Sequence, residues 1–199
     1  QKVTYYKASK RIVLQGGFAI ADTDPTITFE IADGDDNKPL VAGFYAEGEL
    51  SKVTTTDEDG KIVEEFKNRT GQVVLKRAKV NESYDVWAQT YYVYDDFGQL
   101  SYVLPPEAVK VLDDNADPYT HAWVFSEEVC EKVSRFWYRY YYDARKRITS
   151  KEVPGAGKVM MVYDQRDRLV LSQNANQRQR DQWSFIKYDE FNRQIMTGI

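Results

Sequence analysis

The stretch MMVYDQRDRLVLSQ, residues 160–173, joins two apolar runs through a short polar segment. Asp164 follows Tyr163, Asp167 stands three places later, and Leu169 begins the second run. Asp suits the first position of a type I turn because its side chain accepts hydrogen bonds from nearby backbone amides. A left-handed residue directly after such a turn gives a three-residue hairpin loop with a bulge. The stretch therefore predicts a β-hairpin, in which Tyr-Asp marks the turn and is not a reactive pair.

The same unit recurs along the chain, with an acidic or amide residue, then Gly or a substitute, then an aliphatic residue. The first residues of successive units are 11, 27, 48, 21 and 25 positions apart. Lys146 is the misfit of the series, because a left-handed conformation costs a non-glycine residue about 1 kcal/mol. The predicted turn residues are Asp57 with Gly60, Asn68 with Gly71, Asp95 with Gly98, Asp143 with Lys146, Asp164 with Asp167, and Asp189 with Asn192.

An aromatic run precedes each of the later turns: YYVYD, WYRYYYD, MMVYD and WSFIKYD. Alternate residues of a strand share a face, so stacked hairpins would align these rings in rows. Buried rows would be core, which the pattern favours, and exposed rows would be platforms for sugar rings. The predicted aromatic wall consists of Tyr92, Tyr94, Trp137, Tyr140, Tyr142, Tyr163, Trp183 and Tyr188.

These patterns predict a mainly β chain of consecutive antiparallel hairpins with one short helical insertion. Residues 1–45 form an N-terminal β segment, with strands expected at 11–14 and 26–31 and a loop at 33–37. Residues 46–199 form the repeat sheet, which a helical insertion at 105–135 interrupts. Within it we expect a helix at 126–135, capped by Ser126, and a loop at 105–120 with at most one helical turn at 106–111.

Composition excludes several classes of function. The formal net charge of −4 and the isoelectric point near 5.2 provide no basic surface for nucleic acid. Apolar runs fall short of the roughly 20 residues that a membrane span needs. One Cys and one His cannot form a disulfide framework or a usual zinc site. We therefore expect no metal and no cofactor. Because the chain begins at Gln1, we also expect it to be a piece of a longer protein.

The residues that could carry chemistry have stronger structural interpretations. Cys130 falls on the apolar face of the predicted helix, and only a pocket joining it to His121 would support catalysis. Three acidic runs, at 33–37, 57–59 and 113–117, lack the glycine and glutamate positions of an EF-hand loop. Asp and Arg recur four residues apart in three turns, either as a binding ladder or, as we favour, as screened ion pairs. The sequence predicts no catalytic residue and no enzyme.

Residues 45–199 carry the motifs TTTDEDGKIVEEFKNRTGQVVLKR, YYVYDDFGQLSYVLPP, YRYYYDARKRI and VMMVYDQRDRLVL. This run resembles the YD-repeat or RHS-repeat proteins of bacteria, in particular long surface proteins of Bacteroidetes. The sequence departs from the family's Gly-Arg turn at Lys146, Asp167 and Asn192. Asp117-Pro118 does not continue as the family's self-cleaving motif would.

The resemblance implies a long antiparallel sheet that curves into a hollow shell, which in several members encloses a C-terminal toxin. The chain would then be a structural wall segment of an extracellular or cell-surface bacterial protein. Its partners would be the rest of the same polypeptide and, where one is present, the enclosed toxin. Free sheet edges predict self-association. The alternative function is a carbohydrate-binding surface module, in which the aromatic rows bind glycans.

Overall fold

The computed structural model describes residues 27–31, 39–45, 48–81, 86–119 and 123–199. Within these residues it contains thirteen strands and three helices, so the expectation of a mainly β chain is confirmed. The chain divides after Phe136 into two compact units. The strand expected at 11–14 and the loop expected at 33–37 lie outside the described residues.

The first unit contains seven strands. β1 and β2 form a hairpin in which Ile31 lies opposite Pro39. The other five strands follow one another in a sheet, and each pairs antiparallel with the next along the chain. The strands are β1 (Ile27–Ile31), β2 (Pro39–Phe44), β3 (Ser51–Thr56), β4 (Ile62–Lys67), β5 (Val73–Asn81), β6 (Val86–Tyr94) and β7 (Leu100–Leu104).

Two helices follow β7 in the first unit, α1 (Pro106–Asp114) and α2 (Glu127–Val133). α2 lies within the expected helix at 126–135, and the Ser126 hydroxyl accepts a hydrogen bond from the Val129 amide at 3.2 Å. The expectation that residues 105–120 hold at most one helical turn is wrong, because α1 has nine residues. Pro at the first turn favours a helix start, and Ala108, Val109 and Leu112 form one buried face.

The hydrophobic core of the first unit lies where α1 packs on β6 and β7 and α2 packs against α1. The Tyr91 and Trp123 rings meet edge to face there, with centroids 5.4 Å apart. The Trp123 indole nitrogen donates to the Asp113 carboxylate at 2.5 Å, which satisfies its polar atom. The most completely buried side chains of this core are Leu75, Val93, Tyr102, Leu104, Leu112 and Val133. This unit therefore has the apolar interior that a chain of its size needs.

The second unit, residues 137–199, is a sheet of six strands in chain order. Trp137 is its one fully buried hydrophobic side chain. The short α3 was not expected, although its capping box of Asn174 and Gln177 is visible in the sequence. The elements are β8 (Tyr138–Tyr142), β9 (Ile148–Val153), β10 (Gly157–Tyr163), β11 (Leu169–Gln173), α3 (Ala175–Arg178), β12 (Ser184–Tyr188) and β13 (Gln194–Gly198). Because apolar burial is scarce here, other contacts must hold these hairpins together.

Lys146 adopts the strained conformation that the sequence made doubtful, with φ 63°. We expect Lys146→Gly to raise the free energy of unfolding by about 0.5–1 kcal/mol, because glycine has no β-carbon to clash. Urea denaturation measures the change. The matched variant is Asp167→Gly, at φ 60°, whose side chain also accepts a hydrogen bond from Arg147 at 2.7 Å. That variant should gain less or lose stability; an equal gain in both would contradict this account.

Candidate functional site

Six turns share one pattern of hydrogen bonds. In the turn at Asp164, the Asp167 amide donates to the Asp164 carbonyl at 3.1 Å, and the Asp164 amide donates to the Arg168 carbonyl at 3.0 Å. The Asp164 carboxylate Oδ1 also accepts from the amides of Arg166 and Arg168, at 2.8 and 3.0 Å. The same contacts recur in the turns that begin at Asp57, Asn68, Asp95, Asp143 and Asp189.

The fourth residue of every one of these turns has a left-handed backbone. In the first unit this residue is glycine, which takes positive φ without strain. In the second unit it is Lys146, Asp167 or Asn192, at φ 63°, 60° and 64°. Directly before five of the turns the strand register shifts by a bulge, for example between Val162 and Tyr163. The bulge fixes the position of the tyrosine that precedes Asp.

The tyrosine before three of the four later turns reaches back to the preceding hairpin. The Tyr163 hydroxyl donates to the Ile148 carbonyl at 2.9 Å, and the Tyr188 hydroxyl donates to the Leu169 carbonyl at 3.0 Å. In the first unit, the Tyr94 hydroxyl donates to the Val73 carbonyl at 3.0 Å. Each acceptor is the first residue of a return strand. Tyr-Asp therefore joins two hairpins as well as marking a turn.

The arginine after each of the first two turns of the second unit reaches forward to the next turn. Arg168 pairs with the Asp164 carboxylate of its own turn at 2.7 Å. Its Nη1 also donates to the Asp189 carbonyl at 3.3 Å and to the Asn192 side chain at 2.9 Å. Its guanidinium lies 4.8 Å from the centre of the Tyr188 ring, within the range of a cation–π contact.

Arg147 makes the equivalent set of contacts one hairpin earlier. Its Nη1 donates to the Asp164 carbonyl at 3.2 Å and to the Asp167 side chain at 2.7 Å. Its guanidinium lies 5.0 Å from the centre of the Tyr163 ring. The favoured prediction of simple ion pairs within a turn is therefore incomplete, because each of these arginines also binds the next turn.

In the first unit, a hydrogen bond from a glutamine side chain to a glycine carbonyl replaces the forward contact of the arginine. Gln72 occupies the arginine position of its turn, and its amide nitrogen donates to the Gly98 carbonyl at 2.9 Å. A β-carbon at Gly98 would come within 3.2 Å of that nitrogen. We call the complete set of backward tyrosine and forward arginine or glutamine contacts the turn ladder. The sequence showed its members as recurring residues but not the direction in which their side chains reach.

The charges of the ladder stabilise the ionised aspartates. The hydrogen bond from the Arg147 side chain is the main cause that lowers the pKa of Asp143, and Arg168 lowers the pKa of Asp164 in the same way. At Asp189 the largest cause of the lowered pKa is the backbone amide of Arg193. These carboxylates bind turn amides and arginine side chains, and their pKa values are lowered. A general acid that works near neutral pH needs a raised pKa, so they do not fit that role.

The aromatic wall is half-buried, and the prediction that its rings form a hydrophobic core is wrong for all but one of them. Trp137 is 4% exposed. The physical reason is visible at Tyr163 and Tyr188, whose faces are covered by arginine side chains and whose hydroxyls bind backbone carbonyls. The half-buried members are Tyr92, Tyr94, Tyr140, Tyr142, Tyr163, Trp183 and Tyr188.

The other candidates for chemistry that lie in the described residues are either buried or bound to backbone amides. Cys130 is buried on α2, and His121 lies outside the described residues. Asp57 binds turn amides, and Asp117 accepts from the Tyr119 amide at 2.9 Å. The acidic run at 33–37 also lies outside the described part of the chain. Within that part, no group of His, Cys, Asp and Glu is arranged to hold a metal ion, and no helix is long and apolar enough to cross a membrane.

A buried ion pair lies on the first sheet. Glu64 and Arg77 stand opposite each other on β4 and β5, with Arg77 Nε 2.6 Å from the carboxylate. The guanidinium lies 4.3 Å from the Trp87 ring centre and 5.2 Å from that of Phe66. Burial alone would raise the pKa of Glu64, but hydrogen bonds from Arg77 and Lys52 outweigh it and lower that pKa. Arg77 Nη1 is buried without a hydrogen-bond partner among the described residues, but the Glu64 carboxylate is paired with both Arg77 and Lys52, and we interpret the cluster as structural.

Comparison with models of known protein families finds no match to this chain. A search of curated proteins finds no similar protein. The resemblance to YD-repeat proteins therefore stays a prediction, and what the chain does must be argued from the turn ladder itself.

Removing a ladder hydroxyl tests whether the backward contact stabilises the fold. We expect Tyr163→Phe and Tyr188→Phe each to lower the free energy of unfolding by about 1 kcal/mol, the usual net value of one hydrogen bond. Tyr138→Phe is the matched control, because Tyr138 lies on β8 of the same sheet and its hydroxyl makes no such bond to any residue that the structure describes. Urea denaturation measures all three variants, and equal losses in all three would contradict the contact's role.

The lowered aspartate pKa values predict a dependence of stability on pH. A carboxyl whose folded pKa lies below its ordinary value of 3.8 stabilises the fold above that value. The stabilisation is lost as pH falls through the folded pKa. We therefore expect Asp164→Asn to be less stable than the wild type near neutral pH, and the difference to shrink in acid. Thermal unfolding across a pH series measures this; a difference that is constant with pH would contradict it.

Proposed function

We propose that this chain is a non-enzymatic structural scaffold, a wall segment of a YD-repeat or RHS-type protein on the surface of, or secreted by, a bacterium. Its work is mechanical: it holds consecutive hairpins in a fixed order. The proposal combines the family resemblance of residues 45–199 with the contacts of the turn ladder. Its partners would be the remainder of the same polypeptide and, as in several members of that family, an enclosed toxin.

The observation that carries the proposal is the reciprocal contact between neighbouring turns. Tyr188 donates backward to Leu169, while Arg168 binds forward to the Asp189 carbonyl. The charged groups of this motif are used to bind the next copy of the motif. Repeats that contact their neighbours in this way stabilise one another, as the units of repeat proteins do.

The position of the strongest polar contacts also fits a scaffold. The second unit has one fully buried hydrophobic side chain, yet its hairpins stay paired from β8 to β13. Half-buried Arg147 and Arg168, with side chains 22% and 21% exposed, cover tyrosine rings and bind backbone carbonyls. Partly desolvated charged hydrogen bonds are stronger than surface ion pairs. The ladder therefore supports a sheet that a thin core would leave weak.

Amide hydrogen exchange tests whether the stabilities of neighbouring turns are coupled. We expect Arg168→Ala to speed amide exchange in the next turn, residues 189–193, by roughly fivefold or more, because about 1 kcal/mol of contact is lost. Exchange in the turn at residues 57–61 should not change. Arg180→Ala, at an exposed arginine outside the ladder, is the matched control. Unchanged exchange at residues 189–193 would contradict the scaffold proposal.

The carbohydrate-binding alternative is tested separately on a glycan array. A scaffold predicts no specific glycan signal above that of a denatured sample. Glycan binding that disappears in Trp183→Ala or Tyr94→Ala, with an unchanged thermal midpoint, would assign the aromatic rows to sugar recognition. That result would overturn the proposed function.

A further inference from the structure

Arg193 follows the third turn of the second unit, at the position that Arg147 and Arg168 hold in the first two, but its surroundings differ from theirs. Its side chain is 74% exposed, against 22% for Arg147 and 21% for Arg168. All its contacts within the described chain belong to its own turn: the Asp189 carboxylate at 2.6 Å and the Phe191 ring at 5.3 Å. Arg193 is thus held in the ladder geometry with its forward side unfilled.

The strand that follows Arg193 has the matching features of an unfinished junction. β13 pairs with β12 on one side only. Its side chains Ile195 and Met196 are 63% and 52% exposed. Val170 holds the position equivalent to Ile195 one hairpin earlier, and it is half-buried. A groove of about 440 Å³ with mainly apolar lining lies over β11 and β12, and from β13 it includes Ile195.

In the second unit, two return strands are each paired with a following strand, and these two pairs show which contacts the free β13 edge lacks. The return strand β9 pairs with β10, and the return strand β11 pairs with β12. In both cases the strand that pairs with the return strand is followed by a Tyr-Asp turn. The tyrosine ring lies against the guanidinium of the arginine, and the aspartate carbonyl accepts a hydrogen bond from that arginine. In both cases the tyrosine hydroxyl donates to the first carbonyl of the return strand. Gln194 holds that carbonyl in β13.

We propose that the β13 edge binds an antiparallel β-strand that ends in a Tyr-Asp turn. Arg193 stacks on the tyrosine ring and donates to the aspartate carbonyl, and the Gln194 carbonyl accepts from the tyrosine hydroxyl. The incoming strand adds to the sheet by main-chain hydrogen bonds and covers Ile195. This inference rests on the proposed scaffold function and names the chemistry of its next partner.

A second copy of this chain would bind the β13 edge less well than a strand followed by a Tyr-Asp turn. Its exposed edge strand β3 ends in Thr56-Asp57, which supplies an aspartate carbonyl but no aromatic ring. Arg193 would then lose its cation–π contact, and the Gln194 carbonyl would receive no phenol. The ladder chemistry therefore selects a strand with tyrosine at that position.

The test is binding of a labelled peptide with the sequence of residues 157–173, which carries Tyr163 and Asp164, to the 199-residue chain. We expect fluorescence anisotropy to show saturable binding. Arg193→Ala in the protein, or Tyr163→Ala in the peptide, should weaken it about tenfold or more. Ile195→Asp should weaken it as well. Arg180→Ala is the matched control and should bind like the wild type.

Absence of binding to the wild-type chain would overturn this inference, as would equal binding to the wild type and Arg193→Ala. Oligomers of the chain that persist in the presence of saturating peptide and dissociate with Arg193→Ala would assign the edge to a second copy and would also overturn it. The scaffold proposal is judged by a different readout. If Arg168→Ala speeds exchange at residues 189–193 while the peptide does not bind, the edge inference alone fails.

Discussion

Everything in the repeat region depends on how one side-chain oxygen is used at the start of each turn. The Asp or Asn Oδ1 accepts two backbone amides, and so closes a loop whose fourth residue is left-handed. In five of the six turns a bulge lies just before this loop, and at Asp164 the bulge sets the position of the tyrosine that precedes it. A hydrogen bond within one turn thereby determines contacts between hairpins.

The two units stabilise their sheets in different ways. The first has an apolar core where α1 packs on β6 and β7 and α2 packs against α1. The second has little buried apolar surface, and its hairpins are joined by arginine, tyrosine and backbone carbonyl groups along the ladder. Such contacts are directional, so they specify which strand is the neighbour and in which register, as apolar burial alone would not. Strained residues are tolerated at Lys146 and Asp167 because the surrounding hydrogen bonds fix the backbone.

Sequence patterns predicted the strands and the turn positions well, since alternation and turn residues are local signals. α2 was also visible, through Ser126 and its apolar face. The length of α1 was underestimated: one turn at 106–111 was expected, whereas the helix begins at Pro106 and continues to Asp114. The half-burial of Tyr163 and Tyr188 was not predictable from periodicity, which assigns a face but does not say what covers it. The forward reach of Arg168 was equally hidden, because its partners lie more than 20 residues away.

A double-mutant cycle on Arg168 and Tyr188 tests the central claim, that neighbouring turns are energetically coupled. The free energy of unfolding is measured for the wild type, Arg168→Ala, Tyr188→Ala and the double variant. The turn ladder predicts a coupling of about 0.5–1 kcal/mol, the usual size of a cation–π contact at a partly exposed site. The same cycle on Arg168 and Tyr138, a ring on β8 outside this contact, should be additive. Additivity of Arg168 and Tyr188 as well would contradict the account.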